Sequence, residues 1–278
     1  MTLPVLIDVE ELSALIEAGA APRLLDVRWA LGDSNGEQHF RDGHIPGAVF
    51  VNLDEELASP PSPDKGRHPL PSLEDLQDAA RRWGIDDGDS VVLYDATGNT
   101  AAARGWWLLR WAGLSDVRLL DGGLQAWESA GLPLAAGIGE SVTPGNVTFT
   151  GGNMPTVDID GVGDWTRAGG VLLDARAGER YRGEVEPMDP VAGHIPGAVS
   201  APTAENITGD GRFLDATRLR ERFAGLGAGD SVAVYCGSGV TAAHEIAALA
   251  IAGYDATLFP GSWSQWSNDS TRAVDTGA

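Results

Sequence analysis

The chain has 278 residues, 43% of them hydrophobic, and a single cysteine, so it has material for two cores but no intrachain disulfide or cysteine-rich zinc site. Nineteen Lys and Arg stand against 40 Asp and Glu, a net charge of −21, which argues against nucleic acid or anionic membrane as partners. No apolar run is long enough to span a bilayer, and the first residues lack the basic region and apolar stretch of a secretory signal, so a reducing cytoplasmic setting is expected.

In chain order, Asp8-Val-Glu-Glu11 predicts a capping box opening a helix with Val9, Leu12 and Ile16 on one face and Gly19 at its end. Residues 24–27 read as a strand. Ser72 caps a helix running to about Trp83, 90–94 is a buried strand, 101–111 a helix and 117–120 a strand. The Gly- and Thr-rich stretch that follows has no periodicity and reads as a linker over 137–153. Beyond it come a strand at 171–174, a helix near 215–224, a strand at 231–235, a helix at 241–251 and a strand at 255–259. Such alternation implies parallel strands joined by right-handed crossovers, hence an α/β class with one domain over 1–136 and another over 154–278.

The two halves are copies. Asp26 and Asp174 lie 148 residues apart, His44 and His194 150, Tyr94 and Tyr235 141, and Gly122 and Gly261 139, with the landmarks in the same order. From histidine to tyrosine the first copy spans 50 residues and the second 41, and the Pro-rich 58–69 reads as an insertion in the first.

The chemistry points to one loop. Val232, Val234 and Tyr235 form strand, the Ala-rich run from Thr241 forms helix, and Cys236 to Val240 is a tight connection between them. Gly237 and Gly239 can take positive φ there. Such a loop turns backbone N–H groups inward at a helix N-terminus, which stabilises a thiolate and makes a nucleophile at neutral pH. The competing reading, Cys236 as a small buried hydrophobe, leaves the Gly-Ser-Gly after it without a packing reason. The repeat places Asp95 opposite Cys236, and a carboxylate there caps free N–H groups but carries no sulfur. Catalysis is therefore expected from the second domain alone.

Cys236-Gly-Ser-Gly-Val-Thr241 resembles the active-site loop of two-domain rhodaneses, in particular the 3-mercaptopyruvate sulfurtransferase branch. Leu24-Leu-Asp-Val-Arg28, Gly-His-Ile-Pro-Gly-Ala-Val at 43–49 and 193–199, and Gly261-Ser-Trp-Ser-Gln-Trp266 are also similar to that family's signatures. The resemblance implies two tandem rhodanese-like domains, each a mainly parallel sheet flanked by helices, the first catalytically inactive. It implies a sulfurtransferase working through a Cys236 persulfide held by the loop from Gly237 and Gly239 to Val240 and Thr241, with no metal or organic cofactor. The donor is then a small anion, 3-mercaptopyruvate or thiosulfate, and the acceptor cyanide, a thiol or a thioredoxin-like protein.

In the mercaptopyruvate branch a proton relay by serine, histidine and aspartate falls on Ser238, His44 and Asp33. Because the histidine motif occurs twice, a structural role for His44 and His194 stands beside that one. Arg180 falls where the family grips the donor's anionic tail. The second arginine expected after Glu186-Pro is Met188, and Arg182 is the nearest substitute. With neutral Gly237 and Ser238 after the cysteine, a carboxylate donor held by Arg180 is expected over thiosulfate. Rhodanese-like phosphatases end their longer loop in an arginine, where this chain has Ala242, so phosphoryl transfer lacks its charge clamp. A two-domain binding module with an incidental cysteine remains the non-enzymatic alternative.

Overall fold

The computed structural model describes residues 4–139 and 141–278. They form two compact units. One comprises the described residues through Ala58, Pro71–Met154 and Thr208–Phe213, and the other Ser59–Leu70, Pro155–Ile207 and Leu214–Ala278.

The first unit runs β1 (Leu6–Ile7), α1 (Val9–Glu17), β2 (Arg23–Asp26), α2 (Gly36–Asp42), β3 (Val49–Phe50), α3 (Leu53–Glu56), α4 (Leu73–Arg82), β4 (Val91–Tyr94), α5 (Ala102–Ala112), β5 (Val117–Leu120) and α6 (Gly123–Ser129). Its sheet is parallel throughout in the order β1-β5-β4-β2-β3. The capping expected at α1 is half present: Asp8 accepts from Glu11 N at 2.7 Å, but the Glu11 carboxylate accepts from Arg118 at 2.8 Å instead of turning back. Ser72 caps α4 through Asp75 N.

The second unit runs α7 (Ile159–Trp165), β6 (Val171–Asp174), α8 (Gly178–Tyr181), β7 (Val199–Ser200), α9 (Ala216–Gly225), β8 (Val232–Tyr235), α10 (Thr241–Ala252), β9 (Thr257–Leu258) and α11 (Ser262–Trp266). Its parallel sheet has the order β7-β6-β8-β9. The duplication holds to the residue: Asp26 pairs with Tyr94 and Asp174 with Tyr235 in the same register. All four residues of β4, and all four of β8, are buried, as strands covered on both faces require.

Two segments depart from the sequence reading. The Pro-rich stretch, which reads as an insertion of the first copy, belongs to the second unit from Ser59 to Leu70. The stretch taken as a linker packs on the first unit: Val147 and Phe149 are buried, Val147 N donates to Ile85 O at 3.2 Å, and Thr150 N donates to Ala112 O at 3.0 Å. Burial of two large apolar side chains removes the freedom a spacer would have. Among the described residues no helix is long and apolar enough to cross a membrane.

Candidate active site

Cys236 ends β8, and its loop leads into α10 at Thr241. Ligands of parallel α/β sheets bind at the carboxyl ends of the strands, and this loop lies at that end. The thiol is 1% exposed, and Sγ accepts from Gly239 N at 3.1 Å. Gly239 has φ +84°, and a Cβ there would lie 2.5 Å from Pro260 O, so both backbone and space demand glycine. Gly237 does not share that conformation, and its surroundings are the ends of two arginine side chains. A Cβ on Gly237 would lie 3.0 Å from Arg67 Nη2 and 3.3 Å from Arg180 Nη1.

The loop is held from behind by the segment opening α11. Ser262, at φ +53°, donates from Oγ to Phe259 O at 3.0 Å and accepts from Cys236 N at 3.1 Å. Trp263 N donates to Cys236 O and Ser264 N to Gly237 O, both at 2.9 Å. The strap 59–70 rests on the same segment. Ser264 Oγ accepts from Arg67 N at 3.0 Å, and Gln265 Nε2 donates to Asp64 O at 2.7 Å. Gly66, at φ +89°, approaches Gly261 so closely that a Cβ would stand 2.6 Å from its carbonyl oxygen.

That strap delivers the serine's partner. Ser238 Oγ lies 2.7 Å from His68 Nδ1. Of the residues expected to form a relay with Ser238, His44 and Asp33 each have partners within the first unit. His44 Nδ1 bonds Phe40 O at 2.8 Å, and its ring stacks on Phe40 at 3.9 Å. His194 repeats this on Tyr181, at 2.8 Å to the carbonyl and 3.8 Å between rings. Both histidines therefore close the turn of a duplicated packing motif, in which Tyr94 and Tyr235 hydroxyls accept from Ile45 N and Ile195 N. Asp33 pairs with His39 at 2.8 Å, and the Asn35 backbone N–H, followed by His39, holds its carboxyl below the usual range.

Arg180 sits in a chain of alternating charges. Asp174 binds Arg176 (2.6 Å), Arg176 binds Glu186 (3.3 Å), Glu186 binds Arg180 (2.7 Å), Arg180 reaches Asp189 (3.4 Å), and Asp189 pairs with Arg67. Burial pushes the Asp189 carboxyl up, against the pull of Arg67. Burial also works against the Arg176 cation, but the hydrogen bonds and charge of Asp174 outweigh it and hold its pKa above the ordinary value. Arg182, the substitute expected for the second arginine, instead clasps Glu184 at 2.7 and 2.9 Å on an exposed surface. Two residues apart on a helical turn, Arg180 and Arg182 point to nearly opposite sides. Val240 and Thr241 form the N-cap and first residue of α10.

Sequence reading missed His68 and Arg67, and a signal for them existed. They lie in a twelve-residue segment without helix or regular strand in a chain with few cations, and such loops are commonly functional. Behind the loop, Glu245 of α10 is buried with Asn206 Nδ2 at 2.6 Å and Arg222 at 3.3 Å, and burial raises its carboxyl to about 7. A cavity of about 460 Å³ in the first unit is lined by Trp29, Asp33, His39, Ala96 and Thr97 among others. Among the described residues no group of three His, Cys, Asp or Glu side chains is arranged to hold a metal ion.

A duplicated parallel α/β fold with the lone cysteine in a strand-to-helix loop of its second copy defines a class of tandem-domain proteins. The family model described as "Rhodanese-like domain" matches residues 8–130 and 161–269. The chain belongs to the rhodanese family and is a sulfurtransferase. It is 48% identical, over 98% of its length and 97% of the relative's, to a Mycobacterium tuberculosis protein named "Putative thiosulfate sulfurtransferase SseB". It is 47% identical to a Pseudomonas aeruginosa protein named "Probable 3-mercaptopyruvate sulfurtransferase", covering 91% and 92% of the two chains. The crystal structure of Escherichia coli SseA, described among 3-mercaptopyruvate sulfotransferases, superposes with a TM-score of 0.81 at 30% identity, over 94% of this chain and 99% of that one.

Proposed function

We propose that the chain transfers a sulfur atom from a small anionic donor to a thiophilic acceptor by double displacement at Cys236. The observation that carries this reading is the thiol at the end of β8, with Gly239 N directed at Sγ and the Ser238–His68 pair beside it. With 3-mercaptopyruvate, Cys236 thiolate attacks the donor sulfur, the carbon–sulfur bond breaks, and the Cys236 persulfide forms as the enolate of pyruvate leaves. The donor's thiol proton ends on the pyruvate methyl group. Ser238 Oγ and the His68 imidazole supply a path for that proton. With thiosulfate the sulfur–sulfur bond breaks and sulfite leaves, with no proton to move. Cyanide, a thiol or a thioredoxin-like acceptor then attacks the outer sulfur and regenerates the Cys236 thiolate.

The thiosulfate reading keeps a specific support. Neutral Gly237 and Ser238 were the reason to disfavour that dianion, but Arg67 brings a guanidinium to this side of the loop. The test of the shared chemistry is intact-protein mass after exposure to either donor. One added sulfur atom, removed by cyanide, is expected, and none in Cys236→Ser; sulfur retained by the serine variant would refute the assignment.

A further inference from the structure

The loop after β4 borders the first unit's cavity of about 460 Å³, a volume within the range of small-molecule sites. The duplication says what this cavity corresponds to. The offsets of 141 and 139 residues that align the copies set its lining residues Ala96, Thr97 and Leu124 opposite Gly237, Ser238 and Trp263. Phe40 and Tyr181 each stack on a motif histidine, at 3.9 and 3.8 Å, so the residues just before them, His39 and Arg180, also correspond. The cavity thus stands in the first unit where the second has the surroundings of Cys236, with Asp95 in the thiol's place.

Its room has a side-chain origin. In the second unit Trp263 is fully buried, with the Arg176 guanidinium 4.6 Å from its ring centroid. Leu124 puts a much smaller side chain at that place, and space is left beside Arg28 and Trp29. The walls are fixed. Arg28 donates to Asp26 at 2.7 and 3.0 Å and to Gly43 O at 2.9 Å, Trp29 Nε1 donates to Asp54 at 3.1 and 3.2 Å, and a Cβ on Gly36 would overlap Arg28 O. The charge is inverted relative to the second unit. His39 takes the place of Arg180 and Glu128 that of Ser267, and Asp33 and Asp42 bring the lining to three carboxylates, whereas the Arg28 guanidinium is already paired with Asp26. The Asn35 backbone N–H, followed by His39, keeps the Asp33 carboxyl below its usual range and hence ionised at neutral pH. An indole beside three carboxylates suits an ammonium group on an apolar body, through charge and through cation–π attraction.

We propose that this cavity is a binding site of the first unit for a small organic ammonium ion, the cation met by Asp33, Asp42 and Glu128 and the apolar body by Trp29 and Leu124. The two copies then divide the ligands by charge: the second keeps an arginine near its thiol for anions, and the first, with a carboxylate in the thiol's place, receives cations. The site is independent of the chemistry at Cys236 and stands or falls on binding alone.

The experiment is titration calorimetry of the full chain at pH 7 and low salt with three probes of one shape, benzylammonium, benzyl alcohol and benzoate, for wild type, Leu124→Trp and Glu128→Lys. Benzylammonium is expected to bind wild type at one site with Kd of about 1 mM or tighter, the scale set by its few heavy atoms. Benzyl alcohol should bind more weakly and benzoate not measurably. Leu124→Trp restores the side chain of the second copy and should abolish binding of benzylammonium. Glu128→Lys, at an exposed position that leaves the core untouched, should weaken it by about 5-fold or more. Each variant is first matched to wild type by its thermal unfolding midpoint, and Glu128→Lys alone carries the test if Leu124→Trp does not fold. No binding of benzylammonium to wild type up to about ten times that Kd, binding of benzoate with equal affinity, or a benzylammonium Kd unchanged in a folded variant would overturn the proposal.

Discussion

The chain folds one loop twice and places a carboxylate in the first copy and a thiol in the second. At Asp95, Oδ1 accepts from Thr97 N (2.7 Å) and Asn99 N (2.8 Å), and Oδ2 from Ala101 N (2.8 Å) and Ala102 N (3.0 Å). At Cys236, Sγ accepts from Gly239 N at a longer 3.1 Å. The carboxylate draws the loop inward, with Asn99 left-handed at φ +67°, and α5 does not begin until Ala102. In the second copy Val240 stays right-handed, and α10 begins at Thr241, two residues earlier in the aligned loop. The fold thus makes an anion nest at both places, and in the first a side chain fills it permanently.

The surroundings diverge in the same direction. Ser238 faces His68 at 2.7 Å, whereas its counterpart Thr97 bonds Thr100 Oγ1 at 2.9 Å. Nine residues after the loop residue, α5 buries Arg104, and α10 buries Glu245 at the equivalent place. Both units keep the Asp–Arg pair after the second-to-central strand, Asp26 with Arg28 and Asp174 with Arg176, because it ties the strand end to a carbonyl of the histidine turn, Gly43 O or Gly193 O. What the two copies share is scaffold, and the differences gather around the loop after β4 and β8.

The largest effect that would break this contrast comes from the two histidine environments. His68→Ala is expected to lower kcat for 3-mercaptopyruvate by roughly 10²–10⁴-fold, the range of a general acid–base group. His44→Ala is expected to lower the unfolding midpoint and leave that kcat within a few-fold of wild type. Equal losses of kcat in both variants would return His44 to the reaction.

Next in size is the filled nest. Asp95→Ala removes the partner of four backbone N–H donors at a buried site, so it should cost about 4 kcal/mol or more in denaturant unfolding, well above an exposed helix cap. Persulfide formation at Cys236 should survive wherever the protein remains folded. A loss below about 1 kcal/mol would mean that the loop relaxes to satisfy its own donors.

The smallest expected effect concerns the buried charge of α10. The folded Glu245 carboxyl keeps its proton up to about pH 7, whereas the ordinary glutamate value is 4.5. Between these values the folded state binds more protons than the unfolded one, so this group's contribution to stability falls as pH rises from about 4.5 through 7. Glu245→Gln should flatten the profile by roughly 3 kcal/mol across that window, read from urea unfolding at pH 5, 6.5 and 8. A parallel profile in the variant would show that Arg222 and Asn206 keep Glu245 ionised.

Local pattern determined most of the framework. Predicted strands at 117–120 and 171–174 coincide with β5 and β6, and the helices after Ser72 and from Thr241 begin where their signals lie, because strand and helix periods and caps are properties of neighbouring residues. The duplicated landmarks likewise located Asp95 opposite Cys236 by counting alone, since a repeat preserves order. What counting could not decide is which body a segment without periodicity joins. Ser238 and His68 are 170 positions apart, and Arg67 N and Ser264 197 apart. Such pairs are selected by packing, here by Gly66 closing on Gly261 and by the pairing of Arg67 with Asp189, and no local propensity records them. The sequence by itself therefore determined the two folds and the lone cysteine in the loop after β8, whereas only the tertiary structure decided that His68 meets Ser238 and that Arg67 nears the loop.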